Sequence, residues 1–219
     1  RGVPAGAGSP RVVVINTTAG PLVTLGERPS GAAALTNCRS RADWVADESL
    51  RFVEGVESWP PTFEPVRVMT VHHTATANND DDPAATVRAI YYYHTVDRGW
   101  GDIAYHYLID EAGVVYEGRW SGEESAACSD FAYSPQLGPD DEPLLVTAGH
   151  TYCYNRGNVG VALLGDFTSV QPTSAARAAL ESVLVENAIR NGLDPLGTVF
   201  YEAPNDMDAC ADTPDATIE

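Results

Sequence analysis

All five histidines of this chain, His72, His73, His94, His106 and His150, lie between residues 72 and 150. Imidazole titrates near neutrality and is the commonest metal ligand, so such a cluster is either a set of satisfied core residues or a metal or proton-transfer site. Other chemistries are harder to build here. No Gly-x-Ser-x-Gly elbow occurs, no cysteine carries the flanks of a thiol protease, and no phosphate-cradling glycine loop precedes a helix. The four cysteines, Cys38, Cys128, Cys153 and Cys210, are too widely spaced for a zinc ribbon. Two disulfides in an exported protein fit them best, reduced structural cysteines being the alternative. Of the three pairings, Cys128 with Cys153 and Cys38 with Cys210 is preferred, because the first closes a loop and the second ties the ends of the domain. That pairing uses Cys153, which argues against His150 and Cys153 acting as a His-x-x-Cys ligand pair.

The elements that must position these histidines are legible from periodicity. Residues 67–74 are short, β-branched and preceded by Pro65, a buried-strand pattern. Alternation puts Val68, Thr70 and His72 on one side and Met69, Val71 and His73 on the other. The second set is the oilier, so His73 is expected in the core and His72 toward a polar site. The run Asn78-Asn79-Asp80-Asp81-Asp82 lacks the alternating spacing and the glycine of a calcium loop. Asp82 instead caps a helix that has Pro83 in its first turn, a stripe of Val87, Ile90, Tyr91 and His94, and a stop at Gly99. Residues 103–110 and 114–117 flank Glu111-Ala112-Gly113 as a hairpin, in which Tyr105 and Tyr107 share a face opposite Ala104, His106 and Leu108. Residues 158–164 form another apolar strand. Thr173 caps a second helix with core positions Ala176, Leu180, Val183, Leu184 and Ala188, and Asn191-Gly192 ends it. Strands and helices interleave, which predicts an α/β fold with a mixed central β-sheet flanked by helices. Residues 1–35, rich in Gly, Ala and Pro, are expected to be an N-terminal extension or the end of a preceding module, adding at most a strand at Val12-Val13-Val14-Ile15.

Charge narrows the partners. With 13 Arg, no Lys and 31 Asp plus Glu, the formal net charge is -18. Binding nucleic-acid backbones or anionic membranes needs cationic clusters, so neither is an expected partner. Two explanations of the bias stay open, a GC-rich codon preference and adaptation to high salt. No run approaches the roughly 18 to 20 apolar residues that cross a bilayer, so no membrane insertion is expected, and the protein is read as a monomer.

Six ordered blocks then carry a specific likeness. They are Val71-His72-His73-Thr74; His94; Gly99-Trp100-Gly101-Asp102-Ile103-Ala104-Tyr105-His106; Gly113-Val114-Val115-Tyr116-Glu117-Gly118-Arg119; Gly149-His150-Thr151-Tyr152-Cys153-Tyr154-Asn155; and Asn158-Val159-Gly160-Val161-Ala162-Leu163. In this order and spacing they resemble the type 2 N-acetylmuramoyl-L-alanine amidases and the peptidoglycan recognition proteins, over about residues 39–200. The opening Arg41-Ala42-Asp43-Trp44-Val45-Ala46 matches the family's Arg-x-x-Trp-Gly-Ala, with Val45 where glycine is usual.

The resemblance implies a single amidase-like domain over residues 36–219, secreted or held at the cell wall, with peptidoglycan as partner. It implies hydrolysis of the amide between N-acetylmuramic acid and L-alanine, with Zn2+ as cofactor. By position, His72 is a metal ligand, and Tyr105 is the catalytic phenol that donates a hydrogen bond as charge develops. His94, Trp100, His106, Arg119, His150 and Asn155 line the substrate groove, Arg119 facing a stem-peptide carboxylate. His73 is structural. The family's other two ligands sit in Gly-His-Arg-Asp and Thr-x-Cys-Pro-Gly runs, and residues 1–219 contain neither. The domain is therefore read as incomplete at its C-terminus, with residues 212–219 as the strand leading into the first of these runs, and this fragment as inactive by itself. The alternative implied by the same resemblance is a recognition module that binds peptidoglycan without cutting it. A third reading, of another class, is a structural or adhesion domain that keeps only the fold.

Overall fold

The computed structural model describes residues 35–124, 127–201, 210 and 215–218. The expected N-terminal extension, including its strand at 12–15, lies outside them. In chain order the strands are β1 (Cys38–Arg39), β2 (Phe52–Val53), β3 (Val56–Glu57), β4 (Phe63–Pro65), β5 (Val68–His73), β6 (Tyr107–Ile109), β7 (Val115–Glu117), β8 (Leu144–Val146), β9 (Asn158–Leu163), β10 (Val199–Tyr201) and β11 (Ala216–Ile218). Two α-helices, α1 (Pro83–Tyr92) and α2 (Ser174–Asn191), accompany them. Five strands form the main sheet in the order β1-β7-β6-β9-β5. Strands β5, β9 and β6 run parallel, β6 and β7 form the antiparallel hairpin, and β1 joins β7 in parallel, so the sheet is mixed.

β9 is flanked on both edges and covered on both faces, which is why all six of its residues are buried. One face meets α2: Val159, Val161 and Leu163 pack with Tyr107, Ile109, Ala176, Leu180 and Val183. The other meets α1: Ala162 packs with Leu108, Val87, Tyr91, Ile103 and Trp44. Each fully buried Val or Leu contributes about 1.5–3 kcal/mol by leaving water, so the two apolar layers hold the sheet between the helices.

Both helices start as their sequences require. The Asp82 side chain accepts from the Ala85 N–H with Pro83 in the first turn, and Thr173 Oγ1 accepts from the Ala176 N–H. Gly192 closes α2 at φ 60°, a left-handed conformation that suits a residue without Cβ. Beyond α1 the chain widens into a π-helical turn over Tyr93–Asp97 before Gly99. Such turns occur preferentially at functional sites, and this one carries His94.

Three expectations change. Disulfides join Cys38 to Cys128 and Cys153 to Cys210 rather than the preferred pairs. The pairing of β1 with β7 brings Cys38 against the core that contains Cys128. β10 packs on the loop around Cys153, with Tyr201 Oη donating to Arg156 O and the Tyr154 and Tyr201 rings in contact. Sheet neighbourhood, not loop length, set the pairs. His73 is not in the core: the core ends at Met69 and Val71, and His73, last in β5 and 39% exposed, accepts from the Phe167 N–H. Tyr105 and Tyr107 lie on opposite sides, Tyr107 against α2 and Tyr105 against the α1 layer, because Tyr105 precedes the β6 ladder and escapes strand alternation.

Candidate functional site

On the α1 side of the sheet, strand alternation places His72, Thr70 and Gly160 on a common face of neighbouring strands. The His72 imidazole is half-buried, and its Nε2 stands 3.0 Å from Nδ1 of His150. Tyr105 leans on it from the other side, ring centroids 5.5 Å apart. Tyr105 in turn contacts His94 at 5.6 Å, and His94 contacts Trp100 at 4.8 Å. A continuous row therefore runs His150, His72, Tyr105, His94, Trp100, with Trp100 39% exposed at its outer end. Asn155 shapes the loop below the row, its Oδ1 accepting from the Thr151 N–H.

The backbone holds most of these rings neutral. His94 Nδ1 accepts from the Ala104 N–H, and burial lowers its pKa to about 4. His106 Nδ1 accepts from the Gly160 N–H and its Nε2–H donates to Val146 O; burial again lowers its pKa to about 4. Burial also pushes His150 well down, with neighbouring His106 adding to the effect. His72 is lowered by burial and then by His73. Burial raises the Tyr105 phenol, so it stays protonated and able to donate. Among the described residues, neither His72 Nδ1 nor the Tyr105 hydroxyl has a hydrogen-bond partner, and both remain available to something outside the chain.

Two residues expected to line a groove are buried beneath it. His106 is fully enclosed, joining β9 to β8 through its two nitrogens. Arg119 is fully enclosed too, its Nη1 donating to Asp102 Oδ2 at 2.8 Å, its Nη2 to Trp59 O, and its guanidinium stacked on the Trp59 ring. Hence it faces Asp102 and not a stem-peptide carboxylate. Asp102 was quoted in the sequence blocks without a role, yet it anchors this floor: Oδ1 accepts from Arg41 Nη1 and the Ile103 N–H, Oδ2 from Arg119 and the Trp120 N–H. An aspartate inside one matching block, with an arginine in the opening motif and another at the end of a later block, was the available signal. Gly160 was also passed over. A Cβ there would lie 2.3 Å from the His150 ring, so this strand position must be glycine for the ring to lie flat across β9.

Zinc hydrolases hold their metal with three protein donors. His72 fits as one: neutral, part-exposed, and with an open nitrogen. No group of three His, Cys, Asp or Glu side chains among the described residues is placed to hold a metal ion. The row itself can do two things chemically. It can offer an imidazole lone pair, and beside it a phenolic hydrogen-bond donor at contact distance.

Comparisons with known proteins give the family and the fold. A human N-acetylmuramoyl-L-alanine amidase is 30% identical over 136 residues, which cover 59% of this chain and 19% of the human one. Bovine peptidoglycan recognition protein 1 is 31% identical over 136 residues, 60% of this chain and 59% of its own. The chain thus spans less than two thirds of these relatives. Two solved structures share the fold: peptidoglycan recognition protein LE in complex with tracheal cytotoxin, a monomeric diaminopimelic acid-type peptidoglycan, at TM-score 0.53 and 24% identity over 73% of this chain and 78% of that one, and human PGRP-IβC in complex with a glycosamyl muramyl pentapeptide, at TM-score 0.53 and 22% identity over 73% and 80%. Residues 62–212, well over half of the sequence, match the Amidase_2 family model, described as N-acetylmuramoyl-L-alanine amidase. By that match, and with the mixed sheet and flanking helices it requires in place, the chain belongs to the Amidase_2 family.

Proposed function

We propose that this domain binds the muramyl-peptide unit of peptidoglycan along the row from His150 to Trp100 and, in the full-length protein, hydrolyses the amide between N-acetylmuramic acid and L-alanine. The observation that carries this reading is the pairing of an open imidazole nitrogen on His72 with an open phenol on Tyr105, their rings 5.5 Å apart at one exposed edge. In the proposed role, His72 would be one ligand of a zinc ion, which would supply Lewis acidity toward the scissile carbonyl. The chain's own residues do the rest. Tyr105, kept protonated by burial, donates to the oxygen that gains charge as the carbonyl is attacked. Trp100, exposed and backed by the buried His94 ring, offers flat surface for the substrate, and the Asn155-braced loop bounds the site. The two disulfides suit an exported protein that works at the cell wall.

A second reading, recognition without cleavage, is favoured by one observation: His72 is the sole family ligand position filled in residues 1–219. Purified insoluble peptidoglycan separates the two. The full-length protein is expected to sediment with it and to release stem peptides in a reaction that a chelator stops and Zn2+ restores. Sedimentation without release moves the assignment to recognition, and failure to sediment sinks both.

A further inference from the structure

We propose that the β10–β11 ribbon is a brace for the candidate site: the Cys153–Cys210 bond and Tyr201 are positioning residues that hold the loop over 149–157, and with it His150 and Asn155, in the shape that bounds a muramyl peptide. The ligand part rests on the proposed function; the bracing of the loop does not.

The loop connects β8 to β9 and brings two site residues with it. Its ends are tied to the rest of the fold, the Gly149 N–H donating to Ala104 O and the Arg67 N–H to Gly157 O. Between them it folds back on itself. The Thr151 N–H donates to Asn155 Oδ1, the Tyr154 N–H to Thr151 O, and Asn158 Nδ2 to Tyr154 O. At its tip Cys153 takes φ 63°, a left-handed conformation that costs energy for a residue with Cβ. Such a conformation persists only where the surroundings fix it, and it concentrates at functional sites.

Those surroundings come from the C-terminal ribbon. Among the described residues, β10 and β11 pair with each other in antiparallel register and with no strand of the five-stranded sheet. The ribbon meets the loop tip instead. Cys210 is bonded to Cys153, the Tyr201 ring lies 5.5 Å from that of Tyr154, and Tyr201 Oη donates to Arg156 O at 2.7 Å. Cys153, Cys210 and Tyr201 are all buried, so the loop tip is packed as well as tethered. The other disulfide has a different setting. Cys38 and Cys128 lie in the apolar layer against α2, and their bond spans 90 residues against 57. A cross-link acts mainly by restricting the unfolded chain, more so for a longer span, so Cys38–Cys128 carries the larger share of global stability. Cys153–Cys210 adds local order where a ligand arrives, and a loop ordered beforehand spares that ligand the entropy of ordering it.

The test compares full-length proteins by amide hydrogen exchange, urea midpoints and titration with a soluble muramyl pentapeptide. The double variant Cys153→Ser with Cys210→Ser is expected to speed exchange across 149–157, leave β5 and β9 protected, and weaken pentapeptide binding about 10-fold. Cys38→Ser with Cys128→Ser is expected to lower the urea midpoint at least as far, with loop exchange and affinity unchanged under conditions where both proteins are folded. Equal effects of the two double variants on the loop overturn the proposal, as does faster loop exchange with unchanged affinity. Tyr201→Ala tests the brace with both disulfides intact: it is expected to speed loop exchange, and Tyr201→Phe, which keeps the ring against Tyr154, to recover most of the protection. A Tyr201→Ala protein whose loop exchanges as slowly as the native one overturns the proposal too. If the native protein binds no pentapeptide, the substrate reading falls, while faster loop exchange in the variants still supports the brace.

Discussion

Two buried polar regions lie on the same side of the sheet and solve burial in opposite ways. In one, Asp102 sits between Arg41 and Arg119, with every carboxylate oxygen occupied. In the other, His94, His106, His150 and His72 are kept neutral by burial and backbone contacts. Charges taken out of water must be compensated at once, so the Asp102 carboxylate has nothing left to offer a ligand. Neutral rings are cheaper to enclose, and a row of them can end in an unpaired nitrogen. The first is a floor and the second is an open edge.

The largest expected effect tests the floor. Asp102→Asn leaves the buried Arg119 without its counter-charge and Arg41 with Glu48 alone, and is expected to destabilise the domain by about 3–5 kcal/mol, read from urea midpoints. A loss under about 1 kcal/mol breaks the contrast between the regions.

The pH dependence should show the two regions pulling in opposite directions. Glu117, beside Arg41, is enclosed with one oxygen unpartnered among the described residues, and burial raises its pKa to about 7 from the ordinary 4.5. Its folded state holds a proton that the unfolded state releases, so its contribution is present below pH 4.5 and lost as pH rises through 7. His94 and His106, at about 4 against the ordinary 6.5, are the reverse: their contribution is present above 6.5 and lost as pH falls toward 4. Replacing Glu117 by Gln is expected to stabilise the protein relative to the native chain by up to about 3 kcal/mol between pH 4.5 and 8, at 1.36 kcal/mol per pKa unit. Denaturant titrations across that range measure it, and parallel curves for the two proteins discard the role given to Glu117.

Gly160→Ala probes the join between floor and edge. The added methyl collides with the His150 ring and is expected to cost about 1–3 kcal/mol, read from urea midpoints, and to break the His72–His150 contact, visible as shifts of both imidazole signals. His72→Ala should move stability least, by under about 1 kcal/mol for a half-buried ring, yet abolish Zn2+ binding and stem-peptide release. A stability loss as large as that of Asp102→Asn makes His72 part of the floor.

Much of this was legible in the sequence, and the failures share a cause. Caps, helix stripes and the β5–α1 order followed from local chemistry at Asp82, Pro83 and Thr173. His72 was correctly aimed away from the oily side because alternation is a local rule. Arg119, His106 and both disulfides depended on which distant strands become neighbours, and no local pattern records that. Tyr105 failed for a smaller reason, lying just outside the ladder that the rule assumes. Val45 was visible as a departure from glycine, and the structure shows its consequence: a β-branched residue at φ 59°, in the left-handed region that disfavours it.

The parallel alignment of β5 with β9 has one more consequence, for the order of events as the chain folds. His72 and His150 are 78 residues apart and meet only when those two strands are side by side. Contacts of that sequence separation form late, because the intervening chain must lose its freedom first. The imidazole pair is thus a built-in clock hand: in stopped-flow refolding followed by pulse-labelled exchange, protection at β9 should appear after the β6–β7 hairpin is already protected.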